Sequence, residues 1–143
     1  MKTLPCLLIS LFQTVCLSAV SAEPANVAFA IGKQEFKPGD GIVIDQVRAT
    51  SSTLKAGDKV TVRGHYLLAS APKASLGLFV THRAPAGPDK TEKSQMTQVE
   101  SAGGAFELSC EITYEGNIYV SFYSVSDGQA FGGVYFTVGS KNS

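Results

Sequence analysis

The sequence predicts an all-β domain: an antiparallel, immunoglobulin-like β-sandwich of roughly seven or eight strands, with a small closed β-barrel as the alternative. Three observations carry that expectation. Apolar and polar residues alternate in short runs beyond residue 22, the period of half-buried strands. Clusters of Gly, Pro, Asp and Ser divide the runs at fairly even intervals, as turns do. No segment sustains a 3.6-residue period, so no helices are on hand to cover parallel crossovers. The paired cysteines around a tryptophan that mark antibody domains are missing, because the chain has no Trp.

Residues 1–22 precede this pattern. Lys2 gives a positive start, Leu4 to Leu17 form an apolar stretch, and Ser18 to Ala22 form a run of small residues. That order is a secretory signal peptide cut after Ala22. The apolar stretch is broken by Gln13 and Thr14 and falls short of the ~20 residues of a spanning helix. Cys16 follows Val15, whereas lipidation wants a small residue there. The expectation is a secreted or periplasmic protein whose mature chain, residues 23–143, is one domain. Removing 22 of 143 residues leaves 121, within the common domain size of ~100–150.

The mature strands follow in order. Val27–Ile31 alternates through Phe29, and Phe36 to Gly41 make a turn around Pro38 and Gly39. Gly41–Thr50 is the next strand; Val47 is out of step with Ile42 and Ile44, which calls for a bulge near Asp45. Ala56-Gly57-Asp58 is a second turn of the same kind. In Lys59–Ser70, Val60, Val62, Tyr66 and Leu68 share the inner parity, and Gly64 among them marks a close approach of a facing side chain. Pro72 should end that run. Ala74–Arg83 follows, with Leu76, Leu78 and Val80 inward, and Ala84–Thr91 is a loop by composition. Lys93–Ser101 reads as an edge strand and Gly103-Gly104 as a turn. Ala105–Tyr114 places Phe106, Leu108, Cys110, Ile112 and Tyr114 against Glu107, Ser109, Glu111 and Thr113. Ile118–Val125 and Phe131–Val138 complete the set.

Gly39-Asp40, Ile42, Ile44, Val47, Gly57, Val60, Val62, Gly64, Tyr66, Leu68, Ser70, Ala74 and Leu76 form a pattern that resembles small, uncharacterised, exported β-sandwich proteins of planctomycete-type genomes. Ser121-Phe122-Tyr123 and Phe131-Gly132-Gly133-Val134-Tyr135-Phe136 are similar to their C-terminal halves. Ala49 departs from the pattern, which favours glycine before Thr50. The resemblance implies export and a β-sandwich and no activity.

Composition removes several function classes. Without Lys2 the chain has 11 basic against 12 acidic residues, a net charge of −1, with no run of one sign. Neither nucleic acid nor an anionic membrane surface is an expected partner. Cys6 and Cys16 lie in the signal, so Cys110 is the one mature cysteine, and its parity makes it a buried apolar residue. One cysteine with His65 and His82 is too few for a structural zinc site, and no cofactor is expected. No Gly-x-Ser-x-Gly elbow accompanies His65 or His82. Glu107 and Glu111 share a face but stand ~13 Å apart along one strand, beyond glycosidase geometry. Asp40, Asp58 and Asp127 lie in turns, where Asp forms turns without needing calcium.

What remains is a non-enzymatic module that binds or supports something, expected as a monomer. Hydrolysis by unrecognised machinery is an alternative, as is strand donation by Val27–Ile31. One surface has chemistry. With Ile118, Val120 and Phe122 inward, Tyr119 and Tyr123 point out; with Val134, Phe136 and Val138 inward, Phe131 and Tyr135 point out. Tyr119, Tyr123, Phe131 and Tyr135 would then form an outer aromatic face able to stack on a glycan or meet a partner protein. The competing expectation is that residues 84–101 or 27–31 cover those rings, and a bulge at Gly132-Gly133 would reverse Tyr135.

Overall fold

A computed structural model describes residues 23–81, 91–113 and 116–139. The predicted signal peptide, His82, the loop through residue 90, Tyr114 and residues 140–143 lie outside them. The fold is all-β and antiparallel. Among the described residues seven strands, β1 (Ala25–Asn26), β2 (Phe29–Glu35), β3 (Gly41–Ala49), β4 (Lys59–Val80), β5 (Met96–Glu111), β6 (Ile118–Tyr123) and β7 (Ala130–Val138), form one curled sheet, with one 3₁₀ turn at Lys93–Gln95. The order is β1-β3-β4-β6-β7-β2, and β5 also pairs with β4.

Two corrections to the expected strands explain the curl. Pro72 does not end a strand, and Gly103-Gly104 is not a turn. β4 runs 22 residues and β5 runs 16. Their pairing jumps from Leu68↔Ala102 to Lys73↔Glu100, so Ala69 to Pro72 bulge against Ser101 alone. A bulge is where a proline costs no ladder bond. Before it, β4 pairs with β3 and the end of β5; after it, β4 pairs with β6 and the start of β5. The two halves of β4 therefore belong to different arms of the sheet.

Asp40 holds that bend. Its carboxylate accepts the backbone N–H groups of Ala69 and Ser70, at 2.8 and 2.9 Å, and the Ser70 hydroxyl. Asp58 does the same for the next loop, accepting from Thr50, Ser51 and the Lys55 N–H. Both follow a glycine of positive φ, Gly39 at 84° and Gly57 at 95°, in turns closed by Asp40 N–H to Lys37 O and Asp58 N–H to Lys55 O. These are the turns expected from Pro38-Gly39 and Ala56-Gly57. Hydrogen bonds from Ser51 first and the Lys55 amide next hold the Asp58 carboxyl below its ordinary value of 3.8. A lowered native pKa stabilises above the unfolded pKa and is lost as pH falls through the native value. Stability should thus decline as pH drops below 3.8, and Asp58→Asn should flatten that acid limb in thermal melts at stepped pH.

The N-terminal segment joins the free edges. Ala25 and Asn26 pair with Ala49 and Arg48 of β3, Val27 N–H donates to Val47 O, and β2 then pairs with β7. The expected strand Val27–Ile31 is thus split, and Val27 and Phe29 pack on the core. At the β5 side, Ser94 Oγ donates to Ser109 O and Gln95 Nε2 to Leu78 O, tying the arms together.

One apolar core lies inside the curl. It takes Ile42, Ile44 and Val47 from β3, Val60, Val62, Leu68, Leu76 and Leu78 from β4, and Phe106, Leu108 and Cys110 from β5. Ile118, Val120, Phe122, Val134 and Phe136 come from β6 and β7. The expected bulge lies between Ile44 and Gln46 and is what turns Val47 inward. At Gly64 an added Cβ would collide with the Val43 carbonyl and stand 2.9 Å from the Phe106 ring. Val80 and Val138, expected inward, are half-buried, and β6 ends at Tyr123, short of Val125.

Candidate functional site

The outer face of β4, β6 and β7 carries the aromatic cluster. Pairing sets Phe79 opposite Tyr119 and Tyr119 opposite Tyr135. The three rings form a row across the strands, with centroids 6.1 and 5.3 Å apart and tilted by 36° and 44°. Tyr123 meets Phe79 edge-on at 5.6 Å. Neighbouring strands sit about 4.8 Å apart, so a row of rings across a sheet repeats at nearly the strand spacing.

Three of the four residues expected on this face are there: Tyr119, Tyr123 and Tyr135. Phe131 is a correction. β6 and β7 slip register between Phe122↔Gly132 and Tyr123↔Ala130, leaving Phe131 as the extra residue and turning it to the core side. It stacks on Phe122 at 5.6 Å and 12°, with Lys37 Nζ 5.0 Å from its centroid. The bulge spares Tyr135, which stays outward and 38% exposed. Phe79 takes the fourth place. Its outward parity was readable beside Leu76 and Leu78, but nothing local shows that β6 lies beside the second half of β4.

Small residues form the floor between the rings. Ser121 lies opposite Gly77 on one side and Gly133 on the other. An added Cβ at Gly77 would stand 2.5 Å from the Phe79 ring and 3.1 Å from the Tyr123 ring, so these rings lie directly over backbone. At Gly133 it would collide with Ser121 Oγ. Burial, helped by the adjoining Tyr119 phenol and opposed by the Ser121 hydroxyl, pushes the Tyr123 phenol well above its usual range. The Tyr123 hydroxyl therefore stays neutral, able both to donate and to accept. Phe79, Tyr119, Tyr123 and Tyr135 are linked to one another by ring contacts.

Polar and apolar side chains rim the face. Met96 and Gln98 of β5 with Ser75 border a concavity beside Phe79 and Tyr123. Lys33 and Glu35 of β2 border another beside Tyr135, floored by Ser121, Gly132 and Gly133. Among the described residues no segment crosses this face: residues 27–29 pack on the core and residues 96–101 pair alongside β4.

The other candidates have structural partners. His65 faces outward as expected, with its Nδ1 against the Asp45 carboxylate; its cross-strand neighbours are Val43 and Ala105, neither a nucleophile. Glu107 is exposed and pairs with Arg63. Asp127 accepts the Gln129 N–H within its turn. Among the described residues no group of three or more His, Cys, Asp or Glu is placed to hold a metal, and no helix is long and apolar enough to cross a membrane.

Cys110 is 3% exposed, and burial, with a smaller contribution from the Glu92 charge, pushes its thiol up to about 12. The thiolate is the reactive form, so native protein should label slowly with a thiol reagent and fast in denaturant. Cys110→Ser should cost roughly 1–3 kcal/mol, read in urea melts, because it buries a hydroxyl. A reducible dimer or immediate native labelling would overturn that placement.

No protein-family model matches the chain, and no curated protein and no solved structure matches it.

Proposed function

We propose that this chain is an exported, non-enzymatic binding module of immunoglobulin-like β-sandwich type that takes a glycan on its outer aromatic face. The observation that carries the reading is the row Phe79, Tyr119, Tyr135, three rings at near-strand spacing on an exposed face. Faces of pyranose rings are apolar and their edges are hydroxylated. A row of aromatic rings offers stacking to successive sugars, and phenols and rim groups offer hydrogen bonds. A protein partner is the second reading, since exposed aromatic patches also serve interfaces.

The sequence order of positive start, apolar stretch and small residues supports export, and N-terminal sequencing of secreted protein should begin at Glu23. For binding, the mature chain should be screened on a glycan array and in pull-downs with insoluble polysaccharides, beside Tyr135→Ala. Retention of wild type and loss in the variant is the expected result. Equal behaviour of the two would reject the face, and a blank screen would reject a glycan ligand.

A further inference from the structure

We propose that Lys33 and Glu35 form a polar clamp at the Tyr135 end of the ring row, reading two adjacent hydroxyls of an uncharged polysaccharide chain. The inference deepens the glycan reading and rests on it.

The clamp is made by a register slip. Ile31 pairs with Phe136 and Gln34 with Val134, so Gly32 and Lys33 together oppose Tyr135. Unbroken alternation from Ile31 would send Lys33 and Glu35 to the inner side with Phe136 and Val134. The extra residue re-aims both side chains outward. Glu35 then pairs with Gly133, in the row of Ser121 and Gly77, and Lys33 sits two residues back on the same face.

Lys33 Nζ and Glu35 Oε2 are 3.5 Å apart, with side chains 74% and 81% exposed. An ion pair so exposed contributes little to folding. Both groups border the same concavity, about 350 Å³, with Ser121, Gly133 and Tyr135. Lys33 also borders the next one, with Asn117, Tyr135 and Thr137. A carboxylate accepts one sugar O–H while the ammonium donates to the neighbouring oxygen; together they complement a vicinal diol. Their charges cancel, so an anionic chain gains nothing net from the pair. Ser121 Oγ lies over the Gly133 backbone and adds a hydroxyl to the same concavity.

The test is affinity electrophoresis of the mature chain through gels containing hydroxyethylcellulose, mixed-linkage β-glucan, xylan or galactomannan, with carboxymethylcellulose and polygalacturonate as anionic probes. Wild type should be retarded by at least one neutral polymer, and about 0.5 M salt, which screens exposed charge, should leave the retardation largely intact. Lys33→Met and Glu35→Gln should each weaken it about tenfold, as loss of a charge-assisted hydrogen bond does, with unchanged melting temperatures. If Tyr135→Ala abolishes binding while both β2 variants bind as wild type, the clamp is wrong and the ring reading stands. Retardation by the anionic polymers alone, erased by salt, overturns the clamp. If no polymer retards wild type, the glycan reading fails and the clamp falls with it.

Discussion

Phe122→Ala should destabilise the protein by about 3–5 kcal/mol, the range for deleting a fully buried phenylalanine. Phe122 is 0% exposed and touches every layer around it. Phe131 of β7 stacks on it, and Phe36 from the β2–β3 turn and Tyr66 from the first half of β4 meet it edge-on at 6.5 and 6.3 Å. Since β6 meets β4 only along the second half of β4, the Tyr66 contact spans the two arms. Removing the ring leaves a cavity at the junction and strips three aromatic partners. Such a loss is a large share of the 5–15 kcal/mol that holds a typical domain. Urea denaturation of wild type and variant measures it. Phe131→Ala should behave as a milder version of the same lesion in stability. A loss below about 1 kcal/mol for Phe122→Ala would mean that the arms do not close over this ring.

Tyr135→Ala should show the opposite signature. The ring is 38% exposed, so truncation should cost under about 1 kcal/mol of stability. Binding should fall by about thirtyfold or more, the effect of removing an anchor residue. Tyr119 is half-buried between Phe79 and Tyr135; Tyr119→Ala should lose binding as fully and roughly 1–2 kcal/mol of stability besides. Parallel melts and gel retardation separate the two quantities. Losses near 3 kcal/mol in both variants would make these rings a second core and remove the face as a binding surface.

Phe131 and Phe79 mark the limit of what alternation reveals. Counting by twos from Phe136 sends Phe131 outward. The count fails because one residue in β7 is left unpaired opposite the step from Phe122 to Tyr123. A bulge is visible in sequence when it puts an apolar residue out of step, as Val47 is after Ile44. Near Phe131 the neighbours are Ala130, Gly132 and Gly133, which carry no apolar signal to be out of step. Lys33 and Glu35 were hidden likewise, since β2 has exposed residues on both sides.

The sequence by itself determined the all-β class, the two Gly-Asp turns, the bulge after Ile44, the inner set Phe106, Leu108, Cys110, Ile112, and the outward Tyr119, Tyr123 and Tyr135. Each follows from covalent geometry within one strand, where successive side chains alternate faces, or from residues suited to a turn. Tertiary structure alone decided that β4 continues through Pro72, that β5 continues through Gly103-Gly104, that Phe79 joins Tyr119, and that Lys33 and Glu35 reach the aromatic face. Those depend on which strand lies alongside and in what register. Register is fixed by hydrogen bonds and packing between segments far apart in the chain, and a one-residue slip sends a side chain to the other face.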